Sequence, residues 1–261
     1  MTTLQGSWIW YELITPDVAG SKAFYDAVVG WSMAAGSAQT NDYGFITAAD
    51  GAMIGGVLAL SQDMIKNGAR PSWLGYVGVD NVDASVSAIE AAGGKVLVPA
   101  NDVPMAGRIA FVADCCSAPF YIMTPTAPPG GGGSTAFSAQ PNPGHMGWNE
   151  LYAANQDHAL AFYTGLFGWT LPEPMDMGPM GKYQFTAHDA ATMGAIMRKP
   201  DAVPESVWCH YIWVDSTSAA IERITAAGGQ VINGPHEVPG PLWTVQAIGP
   251  QGALFSLTGG K

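Results

Sequence analysis

The sequence predicts an α+β protein made by tandem duplication, each copy holding two βαβββ units. Three observations lead there. An internal repeat keeps its register over most of the chain, a Pro/Gly-rich segment separates the copies, and each copy alternates short apolar runs with capped helical segments.

The repeat is read first. Trp10-Tyr11-Glu12-Leu13, Phe24-Tyr25 and Gly30-Trp31 return 138 residues later as Trp148-Asn149-Glu150-Leu151, Phe162-Tyr163 and Gly168-Trp169. Trp73, Tyr76, Val79-Asp80 and Gly93-Gly94 return 135 residues later as Trp208, Tyr211, Val214-Asp215 and Gly228-Gly229. That second register continues to Phe120 and Phe255. Between the copies, Pro128-Pro129-Gly130-Gly131-Gly132-Gly133 and Pro141-Asn142-Pro143 oppose a packed element. The expected domains are therefore 1–126 and 144–261, with a linker at 127–143.

Within the first copy, apolar and aromatic Ser7–Leu13 reads as a strand. Asp17 is placed to cap a helix that runs to Gly30, a glycine in the C-terminal capping position. Tyr43–Ala48, Ala52–Leu60 and Leu74–Val79 read as strands, and Val82–Ala92 as a helix ended by Gly93-Gly94. Lys95–Val98, Ile109–Ala113 and Phe120–Met123 complete the second unit.

Composition excludes whole classes of function. The chain of 261 residues is 48% hydrophobic and carries a net charge of −11 with only ten Lys and Arg. Those cations form no cluster that could displace phosphate counterions, so a nucleic-acid partner is not expected. No apolar run approaches the roughly 20 residues that span a bilayer, and Met1–Gly6 does not read as the start of a signal peptide. Three cysteines, Cys115, Cys116 and Cys209, make no disulfide framework. The expectation is a cytoplasmic protein, without membrane partner, that is a monomeric pseudo-dimer or a homodimer. Gly130–Gly133 lacks the Lys-Ser/Thr and strand–helix setting of a phosphate loop.

An early strand, a helix ending Phe-Tyr-x(4)-Gly-Trp and a later Val-Asp…Gly-Gly resemble the vicinal-oxygen-chelate superfamily of glyoxalases, bleomycin-resistance proteins and extradiol dioxygenases. The likeness covers both copies and is nearest to two-domain glyoxalase-like proteins. It implies cup-shaped mixed sheets whose concave faces hold a small-molecule ligand, in many members with a divalent metal. The positions corresponding to the metal ligands hold Trp10 and Trp148, Gly55 and Gly194, Leu74 and Cys209 (His210 if shifted by one), and Tyr121 and Ser256. Neither copy assembles the three hard ligands a catalytic divalent site needs. No metal or other cofactor is therefore expected, with a divalent metal as the alternative.

Glu12 and Glu150 lie two positions from Trp10 and Trp148 on apolar strands, hence on the same face. Each could act as a general base or ligand anchor, or be a structural carboxylate bonded to backbone amides. Tyr76 and Tyr211 take equal places on the fifth strand of each copy, with Trp213 further along the second. Tyr121 and Ser256 are expected to face the pocket. Arg108 could pair with an anionic ligand, and Trp243 offers a stacking surface, both in stretches that the resemblance puts at the pocket mouth. All five histidines fall in or beside the second copy, and their spacing matches no zinc motif. His210 is the candidate acid–base, whereas His158 falls on a helix and His236 in a Pro/Gly-rich loop.

Three functions remain open on these residues. The first is a metal-free protein binding a small apolar or aromatic metabolite through Trp10, Tyr76, Arg108, Tyr121, Trp148, Tyr211, Trp213, Trp243 and Ser256. The second is a lyase, isomerase or dioxygenase using Glu12, Glu150 or His210, or a metal in a remodelled site. The third is an interaction scaffold.

Overall fold

The computed structural model describes residues 4–34, 36, 43–126 and 133–261. Four βαβββ units follow one another. The first is β1 (Trp8–Thr15), α1 (Val18–Val29), β2 (Ser32–Met33), β3 (Gly44–Thr47) and β4 (Met53–Ala59), joined through a short α2 (Gln62–Lys66) to the next. The second is β5 (Ser72–Gly78), α3 (Val82–Ala91), β6 (Lys95–Val103), β7 (Gly107–Ala113) and β8 (Pro119–Pro125). The third is β9 (Met146–Ala153), α4 (Gln156–Phe167), β10 (Met175–Asp176), β11 (Lys182–His188) and β12 (Ala191–Arg198). The fourth is β13 (Val207–Ser216), α5 (Thr217–Ala226), β14 (Gln230–Val238), β15 (Leu242–Ile248) and β16 (Leu254–Gly260).

Two eight-stranded mixed sheets result, with orders β2-β3-β4-β1-β5-β8-β7-β6 and β10-β11-β12-β9-β13-β16-β15-β14. In every unit the first strand runs parallel to the last, across a helical crossover. The remaining strands form antiparallel hairpins. The tandem α+β architecture is as the repeat predicts. Residues 127–132 of the expected linker lie outside the described residues.

Local chemistry accounts for the helix ends. The side chains of Asp17, Asn81, Asn155 and Ser216 each accept a hydrogen bond from the backbone N–H three residues on. Gly30 and Gly168 close α1 and α4 in the left-handed region, at φ of 83° and 67°, where a Cβ would be strained.

Two strands run further than their composition suggests. β6 includes Pro99 and β14 includes Pro235, and both are edge strands whose register shifts beside the proline. A proline N lacks a proton to give the ladder, so an irregular edge is where a strand tolerates it. His236 consequently lies on β14 and not in a loop.

By contacts the chain divides into two compact units that are not the sequence halves. One comprises Met1–Ile9, Gly75–Ser134 and Trp148–Trp208, the other Trp10–Leu74, Thr135–Gly147 and Cys209–Lys261. Each is built around the same aromatic set. In the first, Tyr163 stacks on Trp169 with ring centres 4.9 Å apart, and its hydroxyl accepts from Trp208 Nε1 at 2.9 Å. Trp169 Nε1 donates to the Gly6 carbonyl at 2.8 Å. In the second, Tyr25 packs on Trp31 and Phe255, its hydroxyl accepts from Trp73 Nε1 at 2.8 Å, and Trp31 Nε1 donates to the Gly144 carbonyl at 2.6 Å. The Phe-Tyr-x(4)-Gly-Trp motif is thus a core motif. Its polar ring atoms are satisfied inside an apolar cluster, as buried Trp and Tyr require.

Candidate functional site

The first-strand Trp belongs to a Trp–Tyr–Phe cluster present in both copies, and Glu150 joins it in the second. In the unit containing β9 and β11, Trp148 Nε1 donates to the Tyr183 hydroxyl at 2.9 Å. That hydroxyl donates in turn to Glu150 Oε2 at 3.3 Å. Phe185 closes the cluster edge-on, 6.0 Å from Trp148 and 5.5 Å from Tyr183. Burial, followed by the charge of Glu150, holds the Tyr183 hydroxyl well above its usual range, so it keeps its proton as a donor. In the other unit, Trp10 Nε1 donates to the Tyr43 hydroxyl at 2.9 Å, with Phe45 packed edge-on at 6.3 Å. Tyr43 lies over Gly56, where an added Cβ would meet its hydroxyl at 2.0 Å, and Gly56 is the register partner of buried Glu12.

Tyr43 and Tyr183 escape the sequence reading although both stand in a Tyr-x-Phe triplet, Tyr43-Gly44-Phe45 and Tyr183-Gln184-Phe185. Their spacing is 140 residues, so they fall out of the registers that expose the other matches.

A second pair of equivalent positions runs across the strands and has diverged. Tyr76 on β5 is level with Tyr121 on β8, Tyr121 with Phe111 on β7, and Phe111 with Val98 on β6. The rings of Tyr76 and Tyr121 stack 4.3 Å apart at 11°, and Phe111 lies 4.6 Å from Tyr121. In the second copy the same places hold Tyr211 on β13, Ser256 on β16, Gln246 on β15 and Asn233 on β14. Here Gln246 Nε2 donates to the Tyr211 hydroxyl at 3.2 Å and Asn233 Nδ2 to Gln246 Oε1 at 3.0 Å. His236 Nε2 lies 2.8 Å from Asn233 Oδ1. Ser256 Oγ is fully buried in this row and makes no hydrogen bond. Where the first copy has an aromatic row, the second has a row of neutral amides and hydroxyls.

The other sequence candidates have specific occupations. His210 lies on β13 one residue from Tyr211 and therefore on the opposite face. It is buried edge-on against Tyr11, itself opposite in facing to Glu12, with ring centres 5.1 Å apart. Burial pushes its pKa down to about 3, so it is a neutral ring at physiological pH. Arg108 on β7 makes a two-pronged ion pair with Asp83, at 2.8 and 2.7 Å, and a third contact with Asp102 at 3.1 Å. The pairing with an anionic ligand expected of it would have to compete with two carboxylates. Trp243 on β15 lies under the Lys261 ammonium, 4.8 Å from its ring centre. Trp213 Nε1 donates to the Ser138 carbonyl at 2.9 Å, and a cleft of about 270 Å³ runs beside it, lined by Pro141, Asn142, Pro143 and Leu242.

Side chains already engaged, or backbone with no room for a ligating side chain, occupy metal positions implied by the family. Trp10 and Trp148 are tied to tyrosines. A Cβ on Gly55 or Gly194 would stand 1.9 Å from the carbonyl oxygen of Tyr11 or Asn149, so no ligating side chain fits either place. Tyr121 is stacked on Tyr76, and Ser256 offers a single neutral hydroxyl. Among the described residues no three His, Cys, Asp or Glu side chains are placed to hold an ion. These residues do not fit the hard-ligand site of metal-dependent relatives. No described helix is long and apolar enough to cross a membrane.

Fold, repeat and strand signature together place the chain in the Glyoxalase/Bleomycin resistance protein/Dioxygenase superfamily, whose family model matches residues 9–120 and 142–257. A protein of Mycobacterium tuberculosis provisionally named glyoxylase CFP32 is 30% identical over 253 residues, covering 97% of this chain and 94% of that one. The anthracycline biosynthesis protein DnrV of Streptomyces peucetius is 27% identical over 265 residues, covering 97% and 92%. Among solved structures, the Mn(II)-bound glyoxalase of Novosphingobium aromaticivorans superposes with a TM-score of 0.68 at 18% identity, covering 98% of this chain and 82% of that one. The 2,2',3-trihydroxybiphenyl 1,2-dioxygenase of Sphingomonas wittichii superposes with a TM-score of 0.67 at 11% identity, covering 98% and 91%.

Proposed function

We propose that this chain, with its two domains at 1–126 and 144–261, binds a small, flat, largely apolar molecule of aromatic character without the aid of a metal ion. The observation that carries this reading is the chemistry of the two equivalent strand rows. Tyr76, Tyr121 and Phe111 offer ring faces, whereas Tyr211, Ser256, Gln246 and Asn233 offer neutral donors and acceptors. Neither row supplies the charge that a hard divalent ion demands. Both suit a fused-ring ligand bearing carbonyl and hydroxyl oxygens. The relative named for anthracycline biosynthesis supports that ligand class.

The Trp148–Tyr183–Glu150 cluster supports a second reading, an enzyme. Glu150 would act as general base and the Tyr183 hydroxyl as a donor to developing negative charge. Titration of purified protein with an anthracycline, followed by fluorescence and thermal midpoint in EDTA and in Mn(II), tests the first. Equal stabilisation in both buffers is the expected result, and stabilisation only with Mn(II), or none, overturns it. Conversion of the ligand to a new mass, lost in Glu150→Gln, would establish the second reading.

A further inference from the structure

We propose that Cys115 and Cys116 form a two-thiol clamp for a soft, thiophilic centre of the trivalent-arsenical type. The pair occupies the turn between β7 and β8. The two sulfurs stand 4.0 Å apart, both residues are partly exposed, and Cys116 Sγ points to the Asn155 carbonyl at 3.3 Å. The turn beneath them is fixed from inside. The buried Asp114 carboxylate accepts from Cys116 N at 2.7 Å, from Ala118 N at 2.8 Å and from the Tyr163 hydroxyl at 3.1 Å.

The turn itself does not require thiols. Asp114 N bonds the Ala118 carbonyl at 3.0 Å, and Ser117 N bonds the Asp114 carbonyl at 3.0 Å. The second copy closes in the same way, Gly249 N to Ala253 O at 3.0 Å and Gly252 N to Gly249 O at 2.8 Å, with Pro250 and Gln251 where the cysteines stand. The first copy even keeps the left-handed residue with a side chain on it, Ser117 at φ 70°, where the second has Gly252. Two adjacent thiols have thus been set on a scaffold that folds without them.

Their chemistry selects the ligand. Neighbouring Cα atoms lie only about 3.8 Å apart, short of the roughly 4.4–6.8 Å a disulfide spans. Direct oxidation would therefore close a strained ring. An atom inserted between the sulfurs relaxes that ring. Asp114 is engaged by the turn and cannot serve as a third ligand, and zinc asks for about four. A centre satisfied by two sulfurs remains, and soft thiolates favour soft partners. Burial, followed by the charges of its neighbours, pushes the Cys115 thiol up to about 12, so that thiol stays protonated and slow toward simple alkylation. With phenylarsine oxide, two As–S bonds form and the arsenic-bound oxygen leaves as water with both thiol protons. Arsenic remains trivalent and no electron is transferred.

Reduced protein is mixed with phenylarsine oxide and examined by native mass spectrometry, with maleimide counting of thiols after denaturation. One arsenical per chain and protection of two of the three thiols are expected, reversed by a dithiol and not by a monothiol. Cys115→Ser and Cys116→Ser, each checked for the wild-type thermal midpoint, should weaken binding about 100-fold by removing the chelate. The folded chain should also bind more tightly than the same chain in urea, since the turn presets the pair. Absence of an adduct, an adduct that persists in Cys115→Ser, or equal affinity in the unfolded chain would each overturn the clamp.

Discussion

Replacing Tyr183 by Phe isolates the polar half of the Trp–Tyr–Glu cluster. The ring and its contact with Phe185 at 5.5 Å survive the change. Two hydrogen bonds do not: the indole of Trp148 loses its acceptor at 2.9 Å and Glu150 loses a donor at 3.3 Å. A buried donor left unmade costs about 1–3 kcal/mol, and a bond to a charged acceptor is worth about 1.5–3 kcal/mol. The longer Glu150 contact and the part-buried indole both take the lower ends, about 1.5 and about 1 kcal/mol, which sets the total near 2–3 kcal/mol. For a chain of this size that is a fall of roughly 4–12 °C in thermal midpoint. Denaturant melts of Tyr183→Phe, Trp148→Phe and the double variant form a cycle whose coupling should be about 1 kcal/mol. A Tyr183→Phe protein within about 0.5 kcal/mol of the parent, with no coupling to Trp148, would refute the cluster as a hydrogen-bonded unit.

Further outcomes follow from other contacts. Gly194→Ala brings a Cβ to 1.9 Å from the Asn149 carbonyl between paired strands, so it should cost at least about 2 kcal/mol or prevent folding. Wild-type stability of that variant in a urea melt would show the strands to be further apart. His210 is held neutral to about pH 3, below its unfolded value near 6.5. Its contribution is therefore complete above that unfolded value and falls as pH drops, by at most about 1.4 kcal/mol per unit, levelling near pH 3. His210→Leu should flatten that limb, and a ring-proton NMR titration with a midpoint near 6.5 would contradict the burial. Asp50 accepts from Ala52 N and His145 Nε2, the backbone bond being the larger cause that holds its carboxyl below the usual range. Its stabilisation exists above the unfolded carboxylate value near 4 and is lost as pH falls through the lowered one. Asp50→Asn should abolish that acid-side loss, seen as a shallower decline of thermal midpoint below pH 4.

The halves of the site were unequally visible in the sequence. Glu12, Glu150, Tyr76, Tyr211, Tyr121 and Ser256 emerge from the repeat because strand periodicity tells which residues share a face. Tyr43, Tyr183, Phe111, Gln246 and Asn233 do not, since nothing along the chain announces which strand will lie beside which. Arg108 is the plainest case: its main partner, Asp83, is 25 residues away on a helix, and a lone cation in a strand gives no hint of it.

What the sequence determined unaided is local or repeated. It contains the duplication, the four βαβββ units, the Asp, Asn, Ser and Gly caps and the motif aromatics of the core. Those features depend on backbone preference and on burial patterns within a few residues. Tertiary structure decided the cross-strand rows, the packing of His210 against Tyr11, and compact units that draw on both copies. Strand register is set by hydrogen bonds and packing between segments far apart in the chain. Residue spacing carries that information only where a duplication happens to repeat it.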